Sequence, residues 1–429
     1  MMKRLILISL FLLSLMFLVG CKKDNTGGTN PPDENGDTKP VVEINYDYKQ
    51  NGTLDQKAVE QFSLLKTHLL LKDGFVAENK IKFQRANLWT YSAYFTTVNQ
   101  LYVTNPSNEN KTLLNEANTE LEWYIAKERA DDHLVYASKA GTEVPAFFDD
   151  NVWLVVGWLN SYKITKDKDA LDKAKKVMDW IYTGWQDDEV GGLYWREFTD
   201  DTPSHKRVRN TCITGPAAWA SALLYEITND LDYLDWSMKI YSWTKSKLYD
   251  RVRKVYNDNI DSDGVVTPWR FTYNQGTMIS AASILYKVTK DERYKQDVLD
   301  YLEGSDNEFY LSNMLEGHPE MEFYKDNPWF RVYLVQGFLD ATKFVDINIG
   351  IRLERVKKAI LYGYENHKDA DGFILEDWSG RIPNEGVGQG FSSLVRTLFV
   401  VGNIEILAIL AQYEAYINEV ISWKKYIQF

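Results

Sequence analysis

Apolar residues recur along this chain at the spacing of one helix face, stretch after stretch. From Val152 they fall at Val155, Val156 and Leu159, steps of three and four. The same period predicts helices over about 55–71, 83–101, 112–128, 149–165, 168–184, 213–228, 231–248, 277–289, 292–303, 328–344, 349–366 and 389–414. Links such as Thr165-Lys166-Asp167 and Thr228-Asn229-Asp230 are short, so the helices they join should be antiparallel neighbours. One link recurs in longer form, as Lys163-Ile164-Thr165-Lys166-Asp167, Glu226-Ile227-Thr228-Asn229-Asp230 and Lys287-Val288-Thr289-Lys290-Asp291. This is a degenerate repeat of helical hairpins, compatible with an open solenoid or a closed double ring of helices. Strand should be slight and confined to long loops such as 191–210 and 248–268.

The N-terminus breaks the pattern. Met1-Met2-Lys3-Arg4 is basic, Leu5 to Val19 is apolar, and Gly20-Cys21 follows. That is a secretory signal, short for a spanning helix. The ending Leu18-Val19-Gly20-Cys21 resembles a bacterial lipobox, which implies cleavage before Cys21 and lipidation of its sulfur; an ordinary signal with a chance cysteine is the alternative. The expected layout is therefore a signal over 1–20, a flexible Gly-, Pro- and Asp-rich tether over 21–43, and one folded domain over 44–429. Such a chain is held to the outer membrane by its lipid, facing the cell surface or the periplasm.

Composition changes the picture in three ways. The 429 residues are 45% hydrophobic and 14% aromatic, which suits a large folded domain with rings to spare for a ligand. A formal net charge of −12 without a basic patch argues against nucleic acid as a partner. Two cysteines, Cys21 and Cys212, and five scattered histidines give no disulfide framework and point to no metal site; no cofactor is called for, and a monomer is expected.

The candidate chemistry sits at the start of the 149–165 helix. In Ala146-Phe147-Phe148-Asp149-Asp150-Asn151-Val152-Trp153, two adjacent carboxylates lie between aromatics. One aspartate there reads as an N-cap, but a pair beside flat rings is what a glycosidase needs as proton donor and nucleophile or base. Three further stretches could line the same site. Gly191-Gly192-Leu193-Tyr194-Trp195 offers backbone freedom and the rings of Tyr194 and Trp195. Asn210 and Thr211 precede an expected N-cap at Thr214, with Pro216 in the first turn, and could bond sugar hydroxyls. Cys212 reads as buried packing. Trp269-Arg270-Phe271-Thr272-Tyr273-Asn274-Gln275 supplies Tyr273, Asn274 and Gln275 at a loop-to-helix junction. Asp258, Asp261 and Asp263-Gly264 have part of the spacing of a calcium loop but not its closing Glu, so they read as a solvated turn. Glu376 and Asp377 are rival acids ranked lower for want of aromatic flanks.

Taken jointly, Phe148-Asp149-Asp150-Asn151, Gly191 to Trp195, Asn210-Thr211, Gly215-Pro216 and Thr272 to Gly276 resemble glycoside hydrolase family 76, a family of endo-acting α-1,6-mannanases. The likeness runs from about residue 80 to 305 and continues more weakly beyond. It implies an all-α fold, a six-hairpin (α/α) barrel with long rim loops. It implies retaining hydrolysis of α-1,6-mannan by an aspartate pair, with Asp149 as nucleophile and Asp150 as acid/base. Segments 248–268 and 367–390 follow no pattern of the family that can be placed, which leaves chain-length preference and branch tolerance open. Another (α/α)-barrel carbohydrate enzyme remains a rival; an epimerase would want histidine, and only His205 and His318 stand near rim loops. A non-catalytic glycan-binding lipoprotein is the other, since aromatic loops would serve capture equally well.

Overall fold

The computed structural model describes residues 53–81, 84–128, 133–198, 201–311, 323–345, 350–379 and 396–427. The signal, the tether, Cys21, His318 and the whole 380–395 stretch lie outside them. Among the described residues twelve α-helices run in chain order: α1 Thr53–Leu69, α2 Leu88–Thr104, α3 Asn108–Leu121, α4 Phe148–Thr165, α5 Lys168–Thr183, α6 Thr211–Thr228, α7 Leu231–Leu248, α8 Thr272–Thr289, α9 Glu292–Phe309, α10 Pro328–Phe344, α11 Gly350–Asn366 and α12 Thr397–Ile427.

The even-numbered helices close a ring. Each of α2, α4, α6, α8, α10 and α12 packs on the next, and α12 returns to α2. The odd-numbered helices pack outside, α1 on α12, α3 on α2, α5 on α4, α7 on α6, α9 on α8 and α11 on α10. This is the six-hairpin (α/α) barrel; the closed double ring holds and the open solenoid does not. Burial follows the layers. In α2 and α8 nearly every side chain from the first turn to the last but one is buried, as a helix walled on all sides requires. In α5 the buried residues are Ala170, Ala174, Val177, Met178, Trp180 and Ile181, a single stripe.

The recurring link has a structural reason. Lys166, Asn229 and Lys290 each adopt a left-handed conformation and end an inner helix. Asp167, Asp230 and Asp291 then cap α5, α7 and α9, accepting from the N–H two residues on at 3.0, 3.1 and 3.0 Å. Thr165, Thr228 and Thr289 accept the N–H of the capping aspartate, each at 3.2 Å. Threonine, left-handed residue and aspartate thus turn the chain through one hairpin, three times.

Strand is slight among the described residues, as expected. Arg209–Asn210, Asn259–Ile260 and Val266–Thr267 form a three-stranded patch, and the other sheets have two short strands each. Several helix bounds move. The 112–128 helix ends at Leu121, α8 begins five residues before the expected 277, and α12 runs from Thr397 to Ile427 rather than over 389–414. At the far end of the ring, Lys163 of α4 and Lys287 of α8 pair with Glu226 of α6, which places positive charge at helix C-termini.

Candidate active site

The even-numbered helices share a polarity, and the N-termini of α2, α4, α6, α8 and α10 open onto one cleft of about 490 Å³. That is a usual size for a small-molecule site. Its lining comes from the first turns and the residues just before them, Asn87 and Trp89, Asp149, Asp150 and Trp153, Asn210 and Cys212, Phe271 and Tyr273, Trp329 and Phe330. Loops add Ser138, Lys139, Phe147, Trp195, Asp258 and Trp269.

Both aspartates are partly buried on the floor of this cleft. The N-cap of α4 is Phe147, so Asp149 and Asp150 lie in the first turn and neither is the cap. Their environments differ. The Asp149 carboxylate accepts the Asp150 backbone N–H at 3.0 Å, the Cys212 thiol at 3.4 Å and the indole N–H of Trp195. Burial pushes its pKa up to about 6, and those three donors hold it from rising further. Among the described residues nothing donates to Asp150. Burial, and then the charge of Asp149, drive its pKa well above the carboxylate range. One carboxyl is thus arranged to be an anion and its neighbour to carry a proton.

The structure brings several of the residues singled out in the sequence to this cleft. Trp195 packs on Phe147 at 5.0 Å between centroids and bonds Asp149. Asn210 lines the cleft with its Oδ1 buried and unpartnered, an acceptor open to a hydroxyl donor. Trp153 is 1% exposed; it shows one edge to the cleft and packs on Tyr333 and Trp329 at 4.2 and 5.4 Å. Tyr273 also reaches the cleft, beside Cys212.

Others it places elsewhere. Tyr194 stands off the cleft, under the Arg209 guanidinium at 4.5 Å and against Phe198. The Gly191-Gly192 pair serves packing, not a ligand: a Cβ on Gly192 would sit 2.3 Å from the Trp243 ring. Thr211 is fully buried and bonds backbone, its Oγ1 to Asn257 at 2.6 Å and its N–H to Asp258 at 2.7 Å. Gln275 is equally sealed, donating to the carbonyls of Lys254 and Tyr301 and accepting from the Tyr256 N–H. Asn274 is fully buried behind the cleft, where its amide steadies the Asp258 carboxylate through a loose contact. Thr214 does not cap α6, which begins at Thr211, and Pro216 lies within the helix. In Thr211 and Gln275 a polar side chain beside the site was recruited by buried backbone, which must find partners.

The acidic turn splits in two. Asp261 accepts the N–H groups of Asp263 and Val265 and is a turn former. Asp258 is no solvated residue: it is buried, lines the cleft and has its pKa raised by burial. Of the rival acids, Asp377 is buried and bonds Ser379, and neither it nor Glu376 lines the cleft. His205 is exposed away from it, so no histidine among the described residues offers the acid/base an epimerase would need. Sequence reasoning missed Trp89 and Phe330, which ring closure brings to the cleft, and although it noted the stretch holding Trp269 and the turn holding Asp258, it singled out neither residue for the site.

The comparisons with known proteins fit this geometry. The model of glycosyl hydrolase family 76 matches residues 63–369. A mannan endo-1,6-alpha-mannosidase of Candida glabrata is 31% identical over 222 residues, 48% of this chain and 48% of that protein. The chain therefore spans about half the length of such relatives. Among solved structures, a family 76 alpha-mannanase of Bacteroides thetaiotaomicron superposes with a TM-score of 0.73 at 22% identity, covering 86% of this chain and 98% of that one. An alpha-1,6-mannanase of a Salegentibacter species gives 0.67 at 23% identity, covering 84% and 99%. An inactive variant of the latter, with two adjacent aspartates replaced, is described in complex with alpha-1,6-mannotetrose.

Proposed function

This chain belongs to glycosyl hydrolase family 76, and from that premise we propose that it cuts α-1,6-mannan backbones of the yeast or fungal kind internally, with retention at the anomeric carbon. It is a glycoside hydrolase; the substrate, the endo action and the stereochemistry are the proposal. The observation that carries the reading is the asymmetry of the two neighbouring carboxyls, one held by three donors and one by none.

In this mechanism Asp149 attacks the anomeric carbon as the Asp150 proton passes to the departing glycosidic oxygen. A mannosyl ester on Asp149 results. The Asp150 carboxylate then takes a proton from water, whose oxygen attacks the same carbon and releases Asp149. Ester formation removes the Asp149 charge, so the Asp150 pKa falls when it must act as base. The N-terminus of α4 favours negative charge in its first turn, which helps the nucleophile.

Debranched α-1,6-mannan incubated with the protein should give a ladder of oligosaccharides early in the reaction. Proton NMR should show the α-anomer before mutarotation. Mannose alone from the start would refute endo action, and β-anomer first would refute retention. Binding without new reducing ends would favour a glycan-capture protein.

Trp269 should set the preference for chain length. Its ring lines the cleft yet is 65% exposed, an unfavourable state for so large an apolar surface unless a ligand covers it. Trp269→Ala should raise KM for mannohexaose by about tenfold, the worth of a ring stacked on sugar, and leave mannotriose nearly unchanged. Equal effects on both lengths would count against a remote platform. The fold should be unaffected, since the side chain supports no core.

A further inference from the structure

Cys212 is the second residue of α6, and it lines the cleft while only 7% exposed. It is fixed from both sides. The first turn of α6 is tied to the 257–258 backbone through both bonds of Thr211. The thiol itself lies between two groups of the site, donating to Oδ2 of Asp149 at 3.4 Å with the Tyr273 side chain beside it. The Asp150 N–H takes the other oxygen, Oδ1. The carboxyl plane of Asp149 is therefore set by one donor on each oxygen, with the Trp195 indole as a third.

We propose that Cys212 is a positioning residue for the nucleophile: its S–H group holds Oδ2 of Asp149 in the attacking orientation through a weak donor. This rests on Asp149 being the nucleophile. The weakness matters. A hydroxyl or ammonium in that place would bind the carboxylate more tightly and take more from its nucleophilicity. A thiol orients it at less cost to reactivity. The donor is also dependable, because burial and the nearby Asp149 and Asp258 charges keep the thiol protonated far above neutral pH. The line from Tyr273 through Cys212 to Asp149 joins three helices of the ring, so the orientation is referred to α6 and α8 as well as to α4.

The test separates this role from packing, and from the choice of substrate. The titratable and charged groups facing Asp149 are Asp150 on its own helix, Cys212 on α6, Tyr273 on α8, Asp258 in the turn just before the Asn259–Ile260 strand, and Lys139 on the cleft rim. In the Asp150→Asn background the strongest coupling is gone, and the Asp149 carboxyl can be followed by carbon-13 NMR. Cys212→Ala should move that titration upward, while Cys212→Ser, whose hydroxyl is the stronger donor, should return it to the wild-type position or below. This readout needs no substrate. With Asp150 intact, Cys212→Ala should lower kcat on debranched α-1,6-mannan about tenfold, the worth of one such bond, with KM within twofold. Its acid limb should shift upward, and Cys212→Ser should recover most of the rate. An Asp149 titration unmoved by Cys212→Ala would overturn the proposal, as would equal losses in both variants with an unmoved acid limb. A moved titration in a protein that leaves α-1,6-mannan uncut would instead sink the proposed function and keep the contact.

Discussion

Asp149→Asn and Asp150→Asn should each lower turnover of debranched α-1,6-mannan by about three powers of ten or more, with the fold intact. The two should fail differently. Asp150→Asn lacks a proton donor, so a mannoside with an acidic leaving group should still form the ester at a useful rate and then stall. Added azide should release it as the α-mannosyl azide. Asp149→Ala lacks the attacking group, so azide should enter from the vacated side and give the β-azide. Those products assign the roles directly, and swapped products would reverse the assignment.

The same variants should gain stability at neutral pH. Both folded carboxyls have pKa values raised above the unfolded value of about 4, to about 6 for Asp149 and well above the carboxylate range for Asp150. Between the unfolded and folded pKa the native state holds more protons than the unfolded chain. Native stability therefore falls as pH rises through that window. An asparagine has no such term, so melting temperatures of the variants should exceed wild type at pH 7 and converge with it near pH 4. Lower melting temperatures for both at pH 7 would mean that the pair is not strained by burial. The strain itself is what a site built for catalysis, and not for capture, would retain.

How much of this was legible along the chain follows from where each element finds its caps. The outer helices α3, α5, α7 and α9 are capped by Ser107, Asp167, Asp230 and Asp291, local signals that sequence displays. The inner helices α2, α4, α6 and α8 have no side-chain cap of their own. Some of their N-terminal groups are served from elsewhere, as the Thr272 N–H is by Asp326 at 2.7 Å and the Asn87 N–H by Glu78 at 2.8 Å. Such donors come from distant positions, so α8 seemed to start only at Thr277. The aspartate pair was visible because both members are adjacent and apolar helix follows. Trp89 and Phe330 were not, since each is one ordinary residue until the ring closes, and Asp258 reads as a solvated turn until the same closure buries it. Thr211 and Gln275 misled for the opposite reason: their polarity answers to buried carbonyls and amides, not to a sugar.

Gly276→Ala should be the most damaging single methyl that the ring can receive. A Cβ there would lie 2.1 Å from the Tyr333 carbonyl oxygen, 2.3 Å from its carbon and 2.4 Å from the Leu334 nitrogen. All three are backbone, so no side chain can rotate away. Gly337 faces back across the same contact, where a Cβ would lie 2.6 Å from the Gly276 oxygen. Helices α8 and α10 thus touch main chain to main chain, and the methyl must push them apart. The helix propensity gain of about 1 kcal/mol for Gly to Ala is small beside overpacking that costs about 3 kcal/mol or more. In a closed ring the displacement cannot be absorbed at one edge. It passes to Trp329 and Tyr333 of α10, which back Trp153 and the cleft. Gly276→Ala should therefore melt about 5 °C or more below wild type and lose kcat/KM as well. Gly215→Ala is the control, because its Cβ would meet the Thr277 Oγ1 at 2.4 Å, a side-chain atom that can turn aside. It should cost clearly less. Equal melting of the two variants, or a Gly276→Ala protein as stable as wild type, would show that α8 and α10 stand further apart and that the cleft is not held by their contact.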